Sequence, residues 1–186
     1  MNKQLIKLAE TTLLILEKRS WHSIKIDEVY NKMNINKKKL QNKVDNKRDL
    51  LRNINHYFDF KLCSTADSID KSTHRDMIFE IMMMRFDVLQ IHRKPIIKIF
   101  EFFKRKPQEL VFLLPSLIES MISMAGLAKI SLVGIKGNLK VKGLLVIYFS
   151  SFLVWAKDNS ESLEKTMTSL DNHLDRAGKL LSIIKI

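Results

Sequence analysis

The stretch from Ser23 to Leu50 constrains this chain most, because it combines two short helical patterns with a polar turn between them. Its first half carries apolar residues at helical spacing, namely Ile26, Val29 and Met33. Ser23 is placed to cap the first amides of that helix. Asn34 and Asn36 then interrupt the pattern, since asparagine tolerates the left-handed backbone of a sharp turn. The stretch therefore predicts a helix, a turn and a second helix.

The second half of this stretch is dense in positive charge. Residues 36–48 hold six Lys or Arg side chains and one acid, Asp45, with Leu40 and Val44 as the apolar anchors. A helix that faces phosphate groups needs such a surface. Asn46 is predicted to cap the helix that follows, in which Leu50 and Leu51 continue the apolar face. The pattern favours a helix-turn-helix that binds DNA.

Glycine and proline are scarce, which favours an all-α fold. The chain has 186 residues, of which 46 % are hydrophobic, 5 are Gly and 3 are Pro. This length can bury one sizeable core or a small domain beside a larger one. The most apolar run covers residues 143–156, whereas a membrane-spanning helix needs roughly 20 residues. We therefore expect that run to be buried within a helical bundle.

The net charge of +12 predicts an acidic partner, which is either nucleic acid or an anionic membrane surface. Residues 1–60 carry 13 Lys or Arg against 7 Asp or Glu, a net charge of +6, and the other 126 residues carry 19 against 13, also +6. The charge density is thus about twice as high in the N-terminal part, as the counts of both segments show. A general lysine bias in the composition is the alternative explanation.

The polar segment 64–74 predicts a domain boundary. The two predicted domains are a helix-turn-helix domain at 1–60 and a larger helical ligand-binding and dimerisation domain at 61–186. Further helices are predicted at 74–92, 96–103, 108–133, 139–157 and 160–185. Pro115 is expected either to kink the third of these or to start its main segment. Residues 134–138 are predicted to form a loop, because Gly134, Gly137 and Asn138 tolerate positive φ.

The last helix carries a heptad seam whose members alternate spacings of four and three. These residues are Leu163, Met167, Leu170, Leu174, Ala177, Leu181 and Ile184. Asp158 or Ser160 is expected to cap the helix. The seam closes the chain's own bundle or, alternatively, joins two subunits in a four-helix interface.

Nothing in the sequence predicts an enzyme, a metal site or a cofactor. The histidines are scattered without metal-ligand spacing, at positions 22, 56, 74, 92 and 173. Cys63 is the only cysteine, so no internal disulfide forms, and the N-terminus lacks an apolar signal segment. We expect a cytoplasmic protein.

A ligand pocket is predicted among flexible and aromatic side chains of the larger domain. The candidate residues are Met84, Phe100, Met121 and Trp155. Side chains of these types at helical spacing fill cores in most proteins, and Trp155 is more easily explained as the plug of the bundle than as a ligand contact.

Residues 5–51 resemble the N-terminal domain of TetR-type repressors. The likeness rests on Ala9, Trp21, Ile26, Val29, the turn at 33–36, Leu40, Val44, Asn46, Lys47, Leu50 and Leu51. Asn34, Gln41 and Val44 stand where the family usually has Gly, Tyr and Phe. The resemblance implies homodimers that bind double-stranded operator DNA and release it when a small apolar or amphipathic effector enters the C-terminal domain.

By this resemblance, the recognition helix spans Asn36 to Lys43, and the last two helices dimerise. Its DNA-binding residues are Ser23, Asn36, Lys37, Lys38, Lys39, Gln41, Asn42, Lys43 and Lys47. Ser23 and Lys47 would touch phosphates. The dimerisation residues are Leu163, Met167, Leu170, Leu174, Ala177 and Leu181.

The rest of the chain is similar to TetR-like alphaproteobacterial proteins that in turn resemble ubiquinone-biosynthesis lipid-binding proteins. This likeness rests on residues 76–87, 155–160 and 166–171. It implies an alternative function, in which the large domain carries an isoprenoid or another lipid and the basic surface makes peripheral contact with a membrane. A Lys-dense turn and helix is superfluous for lipid carriage but central to DNA binding, so we prefer the regulator hypothesis.

Overall fold

The computed structural model describes residues 1–35, 43–66 and 72–183, with side chains through Lys179. These residues form eight α-helices and one short 3-10 turn, and they contain no β-strand. The helices are α1 (Lys3–Lys18), α2 (Ile26–Met33), α3 (Lys47–Thr65), α4 (His74–Ile91), α5 (Arg93–Arg105), α6 (Pro107–Leu127), α7 (Gly134–Trp155) and α8 (Glu164–Ile183), and the turn is Trp21–Ser23. The predicted all-α fold is confirmed.

The chain packs as two compact units. The first unit comprises Met1–Lys61 and Val88–Leu117, and the second comprises Leu62–Asp87 and Ile118–Ile186. The first unit thus contains α5 and the start of α6 in addition to the N-terminal helices. The functional division at 60/61 stays a prediction.

In the first unit, α1 packs against α2 and α5. Leu8, Leu13 and Leu16 of α1 are buried in its core. Lys98 of α5 donates from Nζ to the carbonyl oxygens of Leu16 and Glu17, at 2.7 and 3.0 Å. These carbonyls are in the last turn of α1, where the helix dipole is negative, so a cation there is favourable. The buried leucines and Lys98 together hold α5 against α1.

A buried amide joins α3 to the start of α6 within the same unit. Asn55 donates from Nδ2 to Ser116 Oγ at 2.8 Å and to the Ser116 carbonyl at 3.1 Å. Both residues are buried. Because a buried amide is costly unless it is bonded, this pair fixes how the two helices align.

In the second unit, α7 and α8 pack on each other, and α4 contributes an apolar core face. Ile81, Met82 and Phe86 of α4 are fully buried. Arg75, near the start of α4, forms ion pairs with Asp171 and Asp175 of α8. The hydrogen bonds that Arg75 donates to these two carboxylates raise its pKa. The first turn of α4 is thereby held against α8.

Pro95 and Pro115 both lie within helices. The helix predicted over 74–92 ends at Ile91. Pro95 lies in the first turn of α5, where a backbone N–H would have no partner within the helix, so its absence costs little. Pro115 lies inside α6 rather than at its start.

Two predicted boundaries around residues 128–138 are wrong. α6 ends at Leu127 rather than Val133, because Lys129 adopts a left-handed conformation with φ of +55° and the Ile130 amide bonds the Ala125 carbonyl at 2.8 Å. The predicted loop at 134–138 is the first turn of α7. Of its residues, only Gly134 has positive φ. Gly137 serves close packing instead, since a Cβ there would lie 1.8 Å from the Leu132 carbonyl oxygen.

The buried Asp158 organises the start of α8, which begins at Glu164 and not at Ser160. Its Oδ1 accepts bonds from the amide and hydroxyl of Ser160, at 3.2 and 2.7 Å. Its Oδ2 accepts from the amide and hydroxyl of Thr166, both at 2.9 Å. Burial alone would raise the pKa of Asp158, but these bonds outweigh it and hold the pKa well below its ordinary value of 3.8. Ser160 Oγ also accepts from the Glu164 amide at 3.2 Å, so both residues predicted as possible caps bond amides of the first turn.

Two helices, α6 and α7, are long and apolar enough to cross a membrane by length and composition. Core helices of globular bundles pass the same test. In each helix, 33 % of the most apolar window is buried within the chain, so both have apolar faces that remain exposed.

We predict that Asp158→Asn lowers the free energy of unfolding by about 2 kcal/mol at pH 7, because charge-assisted bonds to the Ser160 and Thr166 groups are lost. A carboxylate with a depressed pKa stabilises the fold fully above its ordinary value of 3.8, and this contribution is lost as the pH falls below that value. Urea unfolding from pH 7 to pH 2 should therefore show wild type and variant converging in acid. A difference that stays constant with pH would contradict this role.

Candidate nucleic-acid interface

The turn after α2 has the geometry that the sequence predicts. Asn34 is left-handed, with φ of +53°, and its amide bonds the Asn31 carbonyl at 3.1 Å. The Ile35 amide bonds the Tyr30 carbonyl at 3.4 Å. These two bonds form a Schellman motif, which ends a helix cleanly without requiring glycine if asparagine is present. The chain therefore leaves α2 in a defined direction just before the Lys-rich segment.

Tyr30 connects α2 to the residues that precede α3. Its buried hydroxyl donates to the Val44 carbonyl oxygen at 2.6 Å. The side chain of Val44 is buried as well. Burial raises the pKa of Tyr30, and Asp45, Asp49 and Asp27 add to the rise, so the hydroxyl keeps its proton. The bond fixes the positions of the two ends that flank residues 36–42.

Asn46 caps α3, as predicted. Its Oδ1 accepts from the amides of Arg48 and Asp49, at 2.9 and 3.0 Å. Asp49 in turn accepts from the backbone amides of Asp45 and Asn46 through Oδ2. This reciprocal arrangement satisfies the first donors of the helix and matches a capping box.

The prediction that Ser23 caps α2 is wrong. Ser23 closes the 3-10 turn, and its hydroxyl donates to the Ser20 carbonyl at 3.0 Å. Lys25 is the residue at the start of α2, and its side chain makes no capping bond. Arg19 holds the turn from outside, through an ion pair with Glu28 and a 2.8 Å bond to the Ser23 carbonyl. The role of Ser23 at a phosphate stays a prediction.

Lys47 lies half-buried in the first turn of α3. Its Nζ donates to the carbonyl oxygens of Trp21 and His22, at 2.8 and 3.1 Å, and lies 5.2 Å from the centre of the Trp21 ring. Burial lowers the pKa of Lys47, and the charge of Lys106 lowers it further. An ammonium group has three donors, so two bonds to the turn leave one for a ligand.

Most predicted DNA-reading residues fall outside the described residues. They are Asn36, Lys37, Lys38, Lys39, Gln41 and Asn42. Lys43 is described and is exposed in the turn before Val44. Their proposed contacts with bases and phosphates stay predictions.

The heptad seam of α8 divides between buried and exposed positions. Leu163, Leu170 and Leu174 are buried inside the second unit, whereas Met167 is 43 % exposed. Ala177 is half-buried, and Leu181 lies beyond the described side chains. The burial of three seam leucines within one chain accords with the alternative that the seam closes the chain's own bundle.

A second seam, which the sequence reading missed, lies on α7. Leu139, Val146 and Leu153 are spaced by seven residues and are 45, 64 and 51 % exposed. Residues at this spacing share one face of a helix. The spacing was visible in the sequence, but the 14-residue apolar run concealed which of its residues face outward.

The four predicted pocket residues do not all belong to one unit. Phe100 is in the first unit, and Met84, Met121 and Trp155 are in the second. Met121 and Trp155 are fully buried, and the Trp155 ring lies 6.4 Å from Phe86 and 5.2 Å from Phe152. This packing fits the interpretation of Trp155 as a plug.

The core of the second unit also contains polar groups that the sequence reading missed. Arg85 is fully buried, and it donates from Nε to the Tyr148 hydroxyl at 3.3 Å and from Nη2 to Ser120 Oγ at 3.4 Å. The Ser151 hydroxyl is buried without a hydrogen-bond partner among the described residues. A guanidinium keeps its charge at any physiological pH, so this core contains a permanent cation. In the described part of the chain, no cluster of His, Cys, Asp or Glu could hold a metal ion.

We predict that Tyr30→Phe lowers the free energy of unfolding by about 1–2 kcal/mol, because the buried Val44 carbonyl loses its bond. The matched control is Tyr57→Phe, whose hydroxyl donates to the partly exposed Glu10 at 3.3 Å, a longer bond that water can replace. Urea denaturation of both variants gives the comparison. An equal decrease in the free energy of unfolding of both variants would show that the buried Tyr30 bond stabilises the fold no more than the Tyr57 bond does.

No family model matches this sequence, and no curated protein matches it. Among solved structures, the chain is similar to a TetR transcriptional regulator from Nitrosomonas europaea, with a TM-score of 0.73 and 16 % sequence identity. The alignment covers 96 % of this chain and 99 % of that one. At this identity the likeness concerns the fold, and it extends over the whole length of both chains. The chain therefore has the all-helical fold of a TetR transcriptional regulator.

Proposed function

We propose that this protein is a homodimeric, cytoplasmic transcriptional regulator that binds double-stranded DNA through residues 36–48. A small apolar or amphipathic effector in the second unit releases the DNA. The observation that carries the proposal is the Schellman turn at Asn34, which directs the chain from α2 into a segment with six basic side chains and one acid. The full-length likeness to the fold of a TetR regulator supports it.

The described geometry suits a phosphate-facing surface. Lys43 is exposed just before the buried Val44, and Asn46, two residues after Val44, caps α3. In the proposed complex, Lys37, Lys38 and Lys39 hold phosphates while Asn36, Gln41 or Asn42 contact base edges. Charge supplies affinity in this arrangement, and the uncharged amides supply sequence preference.

We further propose that the dimer forms through the exposed seam of α7, with Met167 of α8 beside it. Leu139, Val146 and Leu153 give this face the heptad spacing that paired helices use. An isologous contact would pair two subunits about a two-fold axis, and recognition of a two-fold operator requires their DNA-binding segments to lie about one helical turn, or about 34 Å, apart on DNA. Leu163, Leu170 and Leu174 would then support the interface from inside each subunit.

The lipid-binding alternative has one observation in its favour. Apolar residues of α6 are exposed, among them Val111, Ile118 and Ile122. Exposed apolar faces contact lipid or protein partners. A lipid that co-purifies with the protein, together with the absence of any preference for its own upstream DNA, would favour this alternative over regulation.

The DNA-binding proposal is tested by fluorescence anisotropy on the DNA upstream of the gene, with a shuffled sequence as the reference. We expect a preference for the native sequence and a loss of affinity on the order of a thousandfold between 50 and 200 mM salt if about six phosphates are engaged. Replacing Lys37, Lys38 and Lys39 by Ala should abolish most binding.

The matched control for that variant removes the same charge elsewhere, at the exposed Lys136, Lys157 and Lys165. It should retain affinity within about threefold, since exposed charges that take no part in the DNA contact are largely screened by salt. Equal losses in both triple variants, or equal affinity for native and shuffled DNA, would refute a specific interface at residues 36–48.

The dimer proposal predicts that Val146→Asp yields a folded monomer in light scattering at micromolar concentration, because a buried unpaired charge is incompatible with an apolar interface. The thermal stability of the subunit should change little, since Val146 is 64 % exposed within the chain. The control is Val111→Asp, a similarly exposed valine of α6. A wild-type monomer, or a dimer that survives Val146→Asp, would contradict the proposed interface.

A further inference from the structure

A cavity of about 410 Å³ lies wholly within the first unit, between the start of α3 and the junction of α5 with α6. Its apolar wall includes Trp21, Leu51 and Phe102, and its rim carries Lys47, Arg48 and Lys106. Pockets that take small organic molecules have volumes of roughly 300–1,000 Å³ and combine an apolar wall with a few polar groups. The cavity has both properties.

The three cations of the rim are not equivalent. Arg48 is neutralised by Glu109, with Nε and Nη2 donating to the two carboxylate oxygens at 3.0 and 3.1 Å. Its guanidinium also lies over the ring of Phe112, 3.4 Å from the centre. Arg48 and Glu109 therefore form one side of the cavity as a fixed pair.

Lys47 and Lys106 carry the remaining positive charges of the rim. The hydrogen bond from Arg48 lowers the pKa of Glu109 and the charge of Lys106 lowers it further, but neither lysine forms an ion pair among the residues that the structure describes. They are close enough for the charge of Lys106 to lower the pKa of Lys47, after the larger effect of burial. An anion between the two ammonium groups would convert this repulsion into two attractive contacts, and Lys47 retains one donor for it.

We propose that this cavity binds a small aromatic anion, with its ring against Leu51 and Phe102 and its carboxylate or phosphate between Lys47 and Lys106. The aromatic wall explains the preference for a ring, because Trp21 and Phe102 form a tilted pair with ring centres 6.5 Å apart, and aromatic side chains favour such edge and face contacts with further rings. This site is separate from the effector proposed for the second unit.

The site has a regulatory consequence that rests on the proposed function. Lys47 is one of the residues predicted to touch DNA phosphate, so a bound anion and DNA would compete for its remaining donor. Saturating ligand should then weaken DNA binding without any ligand in the second unit.

The binding test uses Trp21 as a reporter. The chain has two tryptophans, and Trp155→Phe leaves Trp21 as the only one. Sodium benzoate and phenyl phosphate are titrated against its fluorescence without DNA, and benzyl alcohol serves as the neutral analogue. We expect saturable changes with both anions and at least tenfold weaker binding of the alcohol. If Trp155→Phe does not fold, calorimetric titration of the wild-type protein replaces the fluorescence measurement.

Two variants locate the site. Lys106→Gln should weaken benzoate or phenyl phosphate binding about tenfold or more, because it removes one of the two cations. Lys104→Gln removes the same charge two residues away, where the ammonium group pairs with Glu101, and should change binding less than about twofold. Equal losses in the two variants, or no saturable binding of either anion, would overturn the proposal.

The outcome separates this site from the proposed function. Saturable binding that depends on Lys106 establishes the site even if the protein shows no preference for any DNA. Specific DNA binding without any response to either anion refutes the site and leaves the regulator proposal intact. Of the two anions, the one that binds more tightly identifies the head group as carboxylate or phosphate.

Discussion

The hydrogen bond from the Tyr30 hydroxyl to the Val44 carbonyl is the interaction on which the proposed DNA-binding surface depends. It joins the last turn of α2 to Val44, two residues before the Asn46 cap of α3, at 2.6 Å and away from water. The Schellman turn at Asn34 sets the direction in which the chain leaves α2. The chain on either side of residues 36–42 is therefore held by buried or capped groups. In the proposed complex, fixed flanks of this kind would reduce the ordering cost of DNA binding.

The parts of the fold that local chemistry determines could be predicted from the sequence. The left-handed Asn34 follows from the tolerance of asparagine for that conformation. The Asn46 and Asp158 caps follow from side chains that accept bonds from backbone amides a few residues further along the chain, so nearby residues suffice to find them. Helix type followed from the periodicity of apolar residues and the scarcity of Gly and Pro. These signals act over a few residues and need no knowledge of the tertiary structure.

The predictions that failed required either the exact path of a short loop or tertiary contacts, and apolar periodicity gives neither. Gly137 has the residue type of a loop, but its missing Cβ makes room for the carbonyl of Leu132, which the loop before α7 brings near. Ser23 does not cap α2, because its hydroxyl bonds the Ser20 carbonyl in the 3-10 turn. Heptad spacing does not show whether a helix face packs within the subunit or against another one. Burial shows it, since Leu170 of α8 is buried inside the subunit and Val146 of α7 is exposed on its surface. Arg85 within a Met-rich helix gave no signal, because charged residues are rarely buried.

Lys47 connects the candidate sites of the first unit, since it supports the Trp21–His22 turn, faces the anion cavity and is predicted to touch DNA. In the proposed complex, residues 36–48 of both subunits of a dimer contact the same DNA. Hydroxyl-radical footprinting of the upstream DNA tests it most directly. Two protected patches related by a two-fold axis and separated by about 10 bp, one helical turn, are the predicted result. Uniform protection, or none at concentrations where the protein is dimeric, would contradict it.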